Sequence, residues 1–294
     1  MTQGIDAFLD FLKAERARGV THVALDDEAR AALRALHKKL RQPAPVRGRS
    51  AAAASPPAPV QAPAQAAAPA PAPADEIPAP DPGTGDNAER IARLRAQAEQ
   101  WQPARRLGTL RDTLVFSTGD PAARLVLIGE APGYEEEKRG EPFTGPAGRK
   151  LDDILKAMGL ERGGVYITNI VKNRPAMPRQ ATNNRKPTPE EMAVWLPFVR
   201  AELDVLRPAC IVALGVTAAE GLLGTGKGIG AMRGCWHEFN GIPVRATYHP
   251  SYLLRSQGRL EPKRQLWEDM LAVMERLDMP VSEKQRGYFL PRGS

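Results

Sequence analysis

"RLVLIGEAPGYEEEKRGEPFTGPAGRKLDDILKAM", residues 124–158, decides the fold. After Arg124 the run "LVLI" is apolar at every position, with no polar alternation. That is the pattern of a strand covered on both faces. The closing "RKLDDILKAM" spaces its apolar residues as a helix does. The loop between is rich in Gly, Pro and Glu, and it places Glu130 at the strand's end, with a lone Phe143 between Pro142 and Thr144. A strand that empties into such a loop usually builds a site.

The same grammar recurs downstream. Further apolar strands are expected at "VYITNIV" (165–171), "CIVALG" (210–215) and "IPVRATYH" (242–249). Helices fall between them. "TPEEMAVWLPFVRAELDVL" opens with a capping box in which Thr188 is the N-cap, Pro189 is N1 and Glu191 is N3. "VTAAEGLL" is a short helix after the third strand. Buried strands alternating with helices predict an α/β fold: three α/β/α layers around a central, mainly parallel sheet. In such sheets ligands bind beyond the carboxyl ends of the strands.

The residues just past those ends are chemically specific. The first strand delivers Glu130, the second carries Asn169, and the last delivers His249 in "TYHPSYLL". A carboxylate, an amide that can read a hydrogen-bonding edge, an imidazole and the flat ring of Phe143 together suit a planar, polar-edged base. Each alone is weak: an Asn at a strand end commonly serves a turn, and a His before Pro can be structural. "GLLGTGKG" (221–228) nearly matches a phosphate-cradling loop, but Gly228 replaces the Mg²⁺-binding hydroxyl and the stretch follows a helix rather than a strand. It is read as a surface loop.

The chain has 294 residues and a net charge of +7, which favours an anionic partner such as nucleic acid. Its two cysteines, Cys210 and Cys235, cannot make a disulfide framework or an all-cysteine metal site. With no signal peptide or transmembrane segment legible, a cytoplasmic, nucleoid-associated location and no membrane partner are expected. Residues 1–41 hold two amphipathic helical stretches, "IDAFLDFLKAERA" and "THVALDDEARAALRALHKKL", suited to docking an unknown protein partner. Residues 42–87 collapse to Ala and Pro and are expected to be a disordered linker. The globular domain is expected over 88–280, with a C-terminal tail over 281–294.

"GEAPG", "GEPFTGPAG", "YITNIVKNRP", "NNRKPTPEE", "IVALG" and "TYHPSYLLR" follow one another in the order and approximate spacing of the uracil-DNA glycosylase superfamily. Over about residues 100–275 the chain most closely resembles family 4, the thermophilic type. The resemblance implies a glycosylase that removes uracil from DNA and starts base-excision repair by base flipping. It implies that Phe143 stacks on the extruded uracil, that Asn169 reads its edge, and that His249 bonds the O2 that gains charge. Glu136 would exclude a 5-methyl group, Glu130 would place the water, and Gly129 and Ala131 would complete the uracil pocket. In "SYLLR", Ser251 and Arg255 would meet DNA, with Leu253 or Leu254 filling the vacated space. Arg174, Arg179, Arg185 and Lys186, in an enlarged basic loop, would contact phosphates.

Two departures matter. Ala131 stands where other branches carry a water-activating Asp, as it does in family 4. Family 4 also holds a four-iron, four-sulfur cluster on four Cys. Here those positions fall in "WQPARRLG", at Asn173 and at about Trp195, and none is Cys. Clusters need thiolates, so no cofactor and no metal site are expected. The expected partner is uracil-containing DNA, single- or double-stranded, bound by a monomer. The rival readings are a catalytically silent DNA-binding relative and a glycosylase for another deaminated base.

Overall fold

The computed structural model describes residues 77–256 and 258–290. The helices expected over 1–41 and most of the expected linker lie outside the described residues. The strands are β1 (Leu110–Leu114), β2 (Ser117–Gly119), β3 (Leu125–Gly129), β4 (Tyr166–Asn169), β5 (Asn173–Pro175), β6 (Cys210–Leu214), β7 (Trp236–Phe239) and β8 (Ile242–Thr247). Six form one sheet in the order β2-β4-β3-β6-β8-β7, and β1 and β5 form a separate two-stranded ribbon. β4, β3, β6 and β8 are parallel, whereas the edge strands β2 and β7 run antiparallel. The mainly parallel sheet is therefore as expected, and all four anticipated strands lie within it. The antiparallel edges and the ribbon were not foreseen: β2 and β5 are three residues long, and β7 is only partly buried.

The helices are α1 (Asn87–Glu99), α2 (Gln102–Leu107), α3 (Tyr134–Arg139), α4 (Pro146–Met158), α5 (Pro189–Leu206), α6 (Val216–Leu223), α7 (Ile229–Met232), α8 (Pro250–Arg255), α9 (Leu260–Arg276) and α10 (Glu283–Arg286). The period of two along each strand sorts its side chains into two layers. Val126, Ile128, Ile211, Ala213 and Val244 pack with Ile91 and Leu94 of α1, Phe198 of α5 and Ala218 of α6. Leu125, Leu127, Ile167, Val212 and Leu214 pack with Leu151 and Leu155 of α4 and with Leu266 and Met270 of α9. Uniformly apolar strands follow from having helices on both faces. The expected capping box at Thr188 is present, with Glu191 N donating to the Thr188 hydroxyl at 3.2 Å and Thr188 N donating to the Glu191 carboxylate at 2.8 Å. Among the described residues no helix is long and apolar enough to cross a membrane.

Both domain edges lie further out than the sequence suggests. Ile77 packs on the core, Pro80 is buried, and Gln97 of α1 bonds Asp81 N and O at 3.0 and 2.6 Å. Asp86 caps α1 by accepting from Glu89 N at 2.9 Å. At the other end, residues 281–290 strap across α9: Trp267 Nε1 donates to Gln285 O at 2.6 Å, Gln285 Nε2 donates to Ala157 O at 2.9 Å, and Tyr288 lies 5.2 Å from Trp267. Composition alone hides such contacts, because single side chains make them.

Removing residues 1–76 is expected to leave Tm unchanged. Removing 1–86 is expected to cost about 1 kcal/mol or more, through the lost Asp86 cap and the uncovered Ile77 site. Thermal unfolding of the two shortened chains checks this, and equal Tm values would place 77–86 outside the packed domain.

Candidate functional site

The carboxyl ends of β3, β4 and β8 open on one crevice of about 700 Å³, lined by Glu130, Ala131, Glu136, Phe143, Asn169, Lys186 and His249 among others. The sequence-predicted quartet of Glu130, Phe143, Asn169 and His249 is thus brought together. Parallel register is the cause: Gly129 sits beside Asn169, and Leu214, beside Thr247, ends the neighbouring strand.

Gly129 does not line the crevice; it makes room. A Cβ there would lie 2.3 Å from Asn169 Oδ1 and 2.6 Å from the Phe143 ring. Only glycine lets the amide and the aromatic ring crowd against the strand. Asn169 is buried, yet its amide makes no hydrogen bond to a described residue, and it faces the crevice. Its polar atoms are not among the buried unpartnered ones, so they reach the open crevice, where a ligand or water can pair with them.

Phe143 is held in a conformation that a bulky residue rarely takes, with φ +57°. Its own carbonyl explains how. Arg162, from a 3₁₀ turn, donates to Pro142 O at 3.1 Å and to Phe143 O at 2.6 Å. Gly148 provides the opposite wall, since a Cβ there would lie 1.5 Å from Phe143 O. The ring then stacks against His249, with centroids 5.6 Å apart and planes 29° apart. Arg162 is a residue that sequence reading missed, and nothing local in "ERGG" marks it.

His249 caps α8 through its ring: Ser251 N donates to Nδ1 at 3.2 Å, and the Ser251 hydroxyl lies 2.8 Å from the same nitrogen. Nδ1 is therefore the acceptor, and the proton of a neutral imidazole sits on Nε2. Burial, followed by the charge of Arg255, pushes the His249 pKa down to about 4. The side chain is then a neutral donor whose Nε2–H is left for a ligand. Ser251, expected to meet DNA, fixes this tautomer.

Glu130 is oriented by Thr217 of α6, whose hydroxyl donates to its carboxylate at 2.5 Å. Thr217 was also missed, although a hydroxyl in the first turn after the third expected strand was a usable signal. Glu136 accepts from Gly133 N at 3.1 Å and from Gly145 N at 3.3 Å, tying together the two ends of the glycine-rich loop while lining the crevice.

Several expected DNA contacts need correction. Arg174 is buried and committed inside the protein, donating to Asn184 Oδ1, Glu137, Ala181 O and Asn183 O. Arg185 has every N–H engaged, with Ala176 O, Lys186 O, Thr109 O and both Glu191 oxygens. Both shape the loop. Arg179 and Lys186 are exposed, and Lys186 lines the crevice. Of the two candidate wedges, Leu253 packs on the core, whereas Leu254 is 47% exposed. Arg255 is exposed on the crevice rim.

The residues at the cluster positions do not fit an iron–sulfur cluster. Trp101 Nε1 donates to Val194 O at 2.8 Å, Asn173 Nδ2 donates to Thr113 O at 3.1 Å, and Trp195 packs 5.4 Å from Phe198. Cys210 is buried in β6, where burial raises its thiol to about 11, and Cys235 is exposed elsewhere. Among the described residues no group of His, Cys, Asp or Glu is arranged to hold a metal.

The fold is a layered α/β architecture with a crevice at the carboxyl ends of its parallel strands, and comparison with known proteins gives the family. Residues 116–271 match the model of the uracil DNA glycosylase superfamily, and the chain belongs to that superfamily. It is 41% identical over 162 residues to a Type-4 uracil-DNA glycosylase of Thermotoga maritima, covering 54% of this chain and 81% of that one. A Type-4 uracil-DNA glycosylase of Pyrobaculum aerophilum is 36% identical over 49% of this chain and 75% of its own length. A Type-5 uracil-DNA glycosylase of Thermus thermophilus is 34% identical over 54% and 78% respectively.

An unfolded His takes its proton near pH 6.5 and the folded His249 only near pH 4. This group therefore favours folding fully above pH 6.5, and its contribution is lost as pH falls towards 4. Imidazole ¹⁵N NMR is expected to show His249 neutral and Nε2-protonated from pH 8 to about 5.5. A midpoint at or above pH 6 would contradict the geometry.

Proposed function

We propose that the chain hydrolyses the N-glycosidic bond of uracil in DNA and leaves an abasic site, initiating base-excision repair. The observation that carries this is the pair of unused hydrogen-bonding groups, the Asn169 amide and the His249 Nε2–H, opening on one crevice beside the Phe143 ring. The relatives' names add support. A base in duplex DNA must leave the stack to reach such a site.

In the reaction the C1′–N1 bond breaks and its electron pair goes to uracil, leaving an oxocarbenium-like sugar. Water adds to C1′, and its proton passes through solvent to the departing uracil anion. Negative charge grows on uracil O2, where a donor already in place binds the transition state better than the substrate. His249 supplies that donor as a neutral imidazole. Asn169 pairs with the uracil edge, and Phe143 stacks on the ring. Glu130, steadied by Thr217, orients the water and sits as a carboxylate near the developing cation, while Ala131 leaves no second acid beside it. Glu136 closes the pocket where a 5-methyl group would fall. Leu254 fills the gap left by the flipped nucleotide, and Arg255, Lys186 and Arg179 meet phosphates. The chain acts without an iron–sulfur cluster, as a monomer, and residues 1–41 serve a separate protein contact.

His249→Ala is expected to cut single-turnover excision by roughly 10²- to 10³-fold with little change in DNA binding. Asn169→Asp is expected to lower uracil excision and to admit cytosine, whose exocyclic amine would find a partner. Rates on U:G, U:A, C:G and single-stranded substrates decide. No uracil excision by the wild type would leave a silent DNA-binding relative, and excision of hypoxanthine or xanthine alone would make it a glycosylase for another base.

The basic loop gives a separate outcome. Lys186→Ala is expected to flatten the salt dependence of DNA binding by about one unit of log–log slope. Arg174→Ala is expected to lower Tm, because it strips a buried network. An unchanged slope for Lys186→Ala would place that side chain away from DNA.

A further inference from the structure

Beside the crevice lies a second cleft of about 420 Å³, lined by Tyr248, Tyr252, Arg259, Leu260, Glu261, Pro262 and Gln265. Tyr248 and Tyr252 line both cavities and form the wall between them. Their rings stack with centroids 4.8 Å apart and planes 27° apart. Tyr248 is otherwise committed: its hydroxyl donates to Gln265 Oε1 at 2.8 Å, and the Arg233 guanidinium lies over its ring at 5.6 Å. Tyr252 is half-buried, lines both cavities, and has no second ring or cation contact among the described residues. It stands on α8, between His249 and the exposed Leu254.

We propose that this cleft seats the nucleobase next to the excised one on the same DNA strand, stacked on Tyr252. The inference rests on the glycosylase reading. Extruding a nucleotide removes a stacking partner from its neighbour, and an aromatic face can replace that partner whatever the neighbour's sequence. The charges fit a base with its phosphate at the rim. Arg259 is exposed and has no carboxylate partner among the described residues; only its Nε is engaged, with Ser256 O at 3.4 Å. Glu261, whose carboxylate accepts from Gln265 Nε2 at 3.2 Å, disfavours a free anion deeper in the cleft. Gln265 accepts from Tyr248 and donates to Glu261, so one side of its amide is already tied to each neighbour, and the ring face of Tyr252 is the broad surface the cleft offers a base.

The test is single-turnover excision from strands in which the nucleotide 5′ or 3′ of uracil carries either a base or a tetrahydrofuran spacer. The spacer on one side only is expected to slow the wild type by about 5- to 150-fold, the range for losing one base–aromatic stack. Tyr252→Leu, which keeps apolar volume but has no ring face, is expected to lose a similar factor on the full strand and to ignore the spacer. Tyr252→Trp is expected to keep the spacer sensitivity, which shows that the position tolerates change. If Tyr252→Leu stays as spacer-sensitive as the wild type, or if no spacer slows the wild type, the inference fails alone. If the wild type excises uracil from no strand, the glycosylase reading fails and the inference falls with it.

Discussion

The constraint on which the site depends is the approach of two side chains to the end of β3. With no Cβ on Gly129, Asn169 and Phe143 press against the strand itself, at distances that no other residue would allow. This fixes an amide and an aromatic ring side by side before any ligand arrives. Phe143 can take its place only because Arg162 and Gly148 hold its carbonyl in a left-handed turn. Preorganisation of this kind lets a site act on a transition state without rearranging. The strain is offset by the surrounding packing, as is usual where a backbone serves a site.

The polar groups behind the site are arranged to the same end. Asp269 of α9 is buried and accepts from Arg245 and Thr247 of β8, and from Arg233 and Gly234 N. This hub steadies the strand that leads into His249. Under β4, Lys172 and Glu202 form a buried pair with Thr168 and Tyr166. Burial opposes charge on both, lowering Lys172 and raising Glu202. Such pairs add little net stability, but removing one partner strands the other. Both networks therefore bear on the rigidity of the strand ends more than on the total stability.

Much of this was legible in the sequence because it depends on periodicity and order. Four apolar runs alternating with helices suffice to call a parallel sheet, and the sheet's geometry then points to Glu130, Asn169 and His249. What was not legible depends on contacts across the chain. Arg174 and Arg185 look like surface charge in a basic loop, yet their partners Glu137 and Glu191 bury or saturate them. Leu253 and Leu254 are adjacent and chemically alike, and only the orientation of α8 sends one to the core and the other to solvent. Arg162 and Thr217 act through other residues, so no motif announces them. The short edge strands and the strap over α9 fail for the same reason, since few residues carry their signal.

The cluster positions illustrate how a fold can keep a fastening while changing its chemistry. In the pattern the resemblance implies, thiolates from the segment before β1, from β5 and from α5 would converge on one group. Here the same elements are joined by other means. Trp101 reaches α5 through Val194 O and an edge-on contact with Phe198 at 4.8 Å, and Asn173 ties β5 to the backbone of β1. Trp195 is almost fully buried beside Phe198, though its indole N–H finds no partner there. An unmet N–H costs on the order of 1–3 kcal/mol, while a buried Trp side chain brings a large apolar contact. Arg185 adds a further tie from the basic loop to Thr109 and Glu191. The loop that carries Lys186 to the crevice is therefore anchored at its base by dispersion and hydrogen bonds.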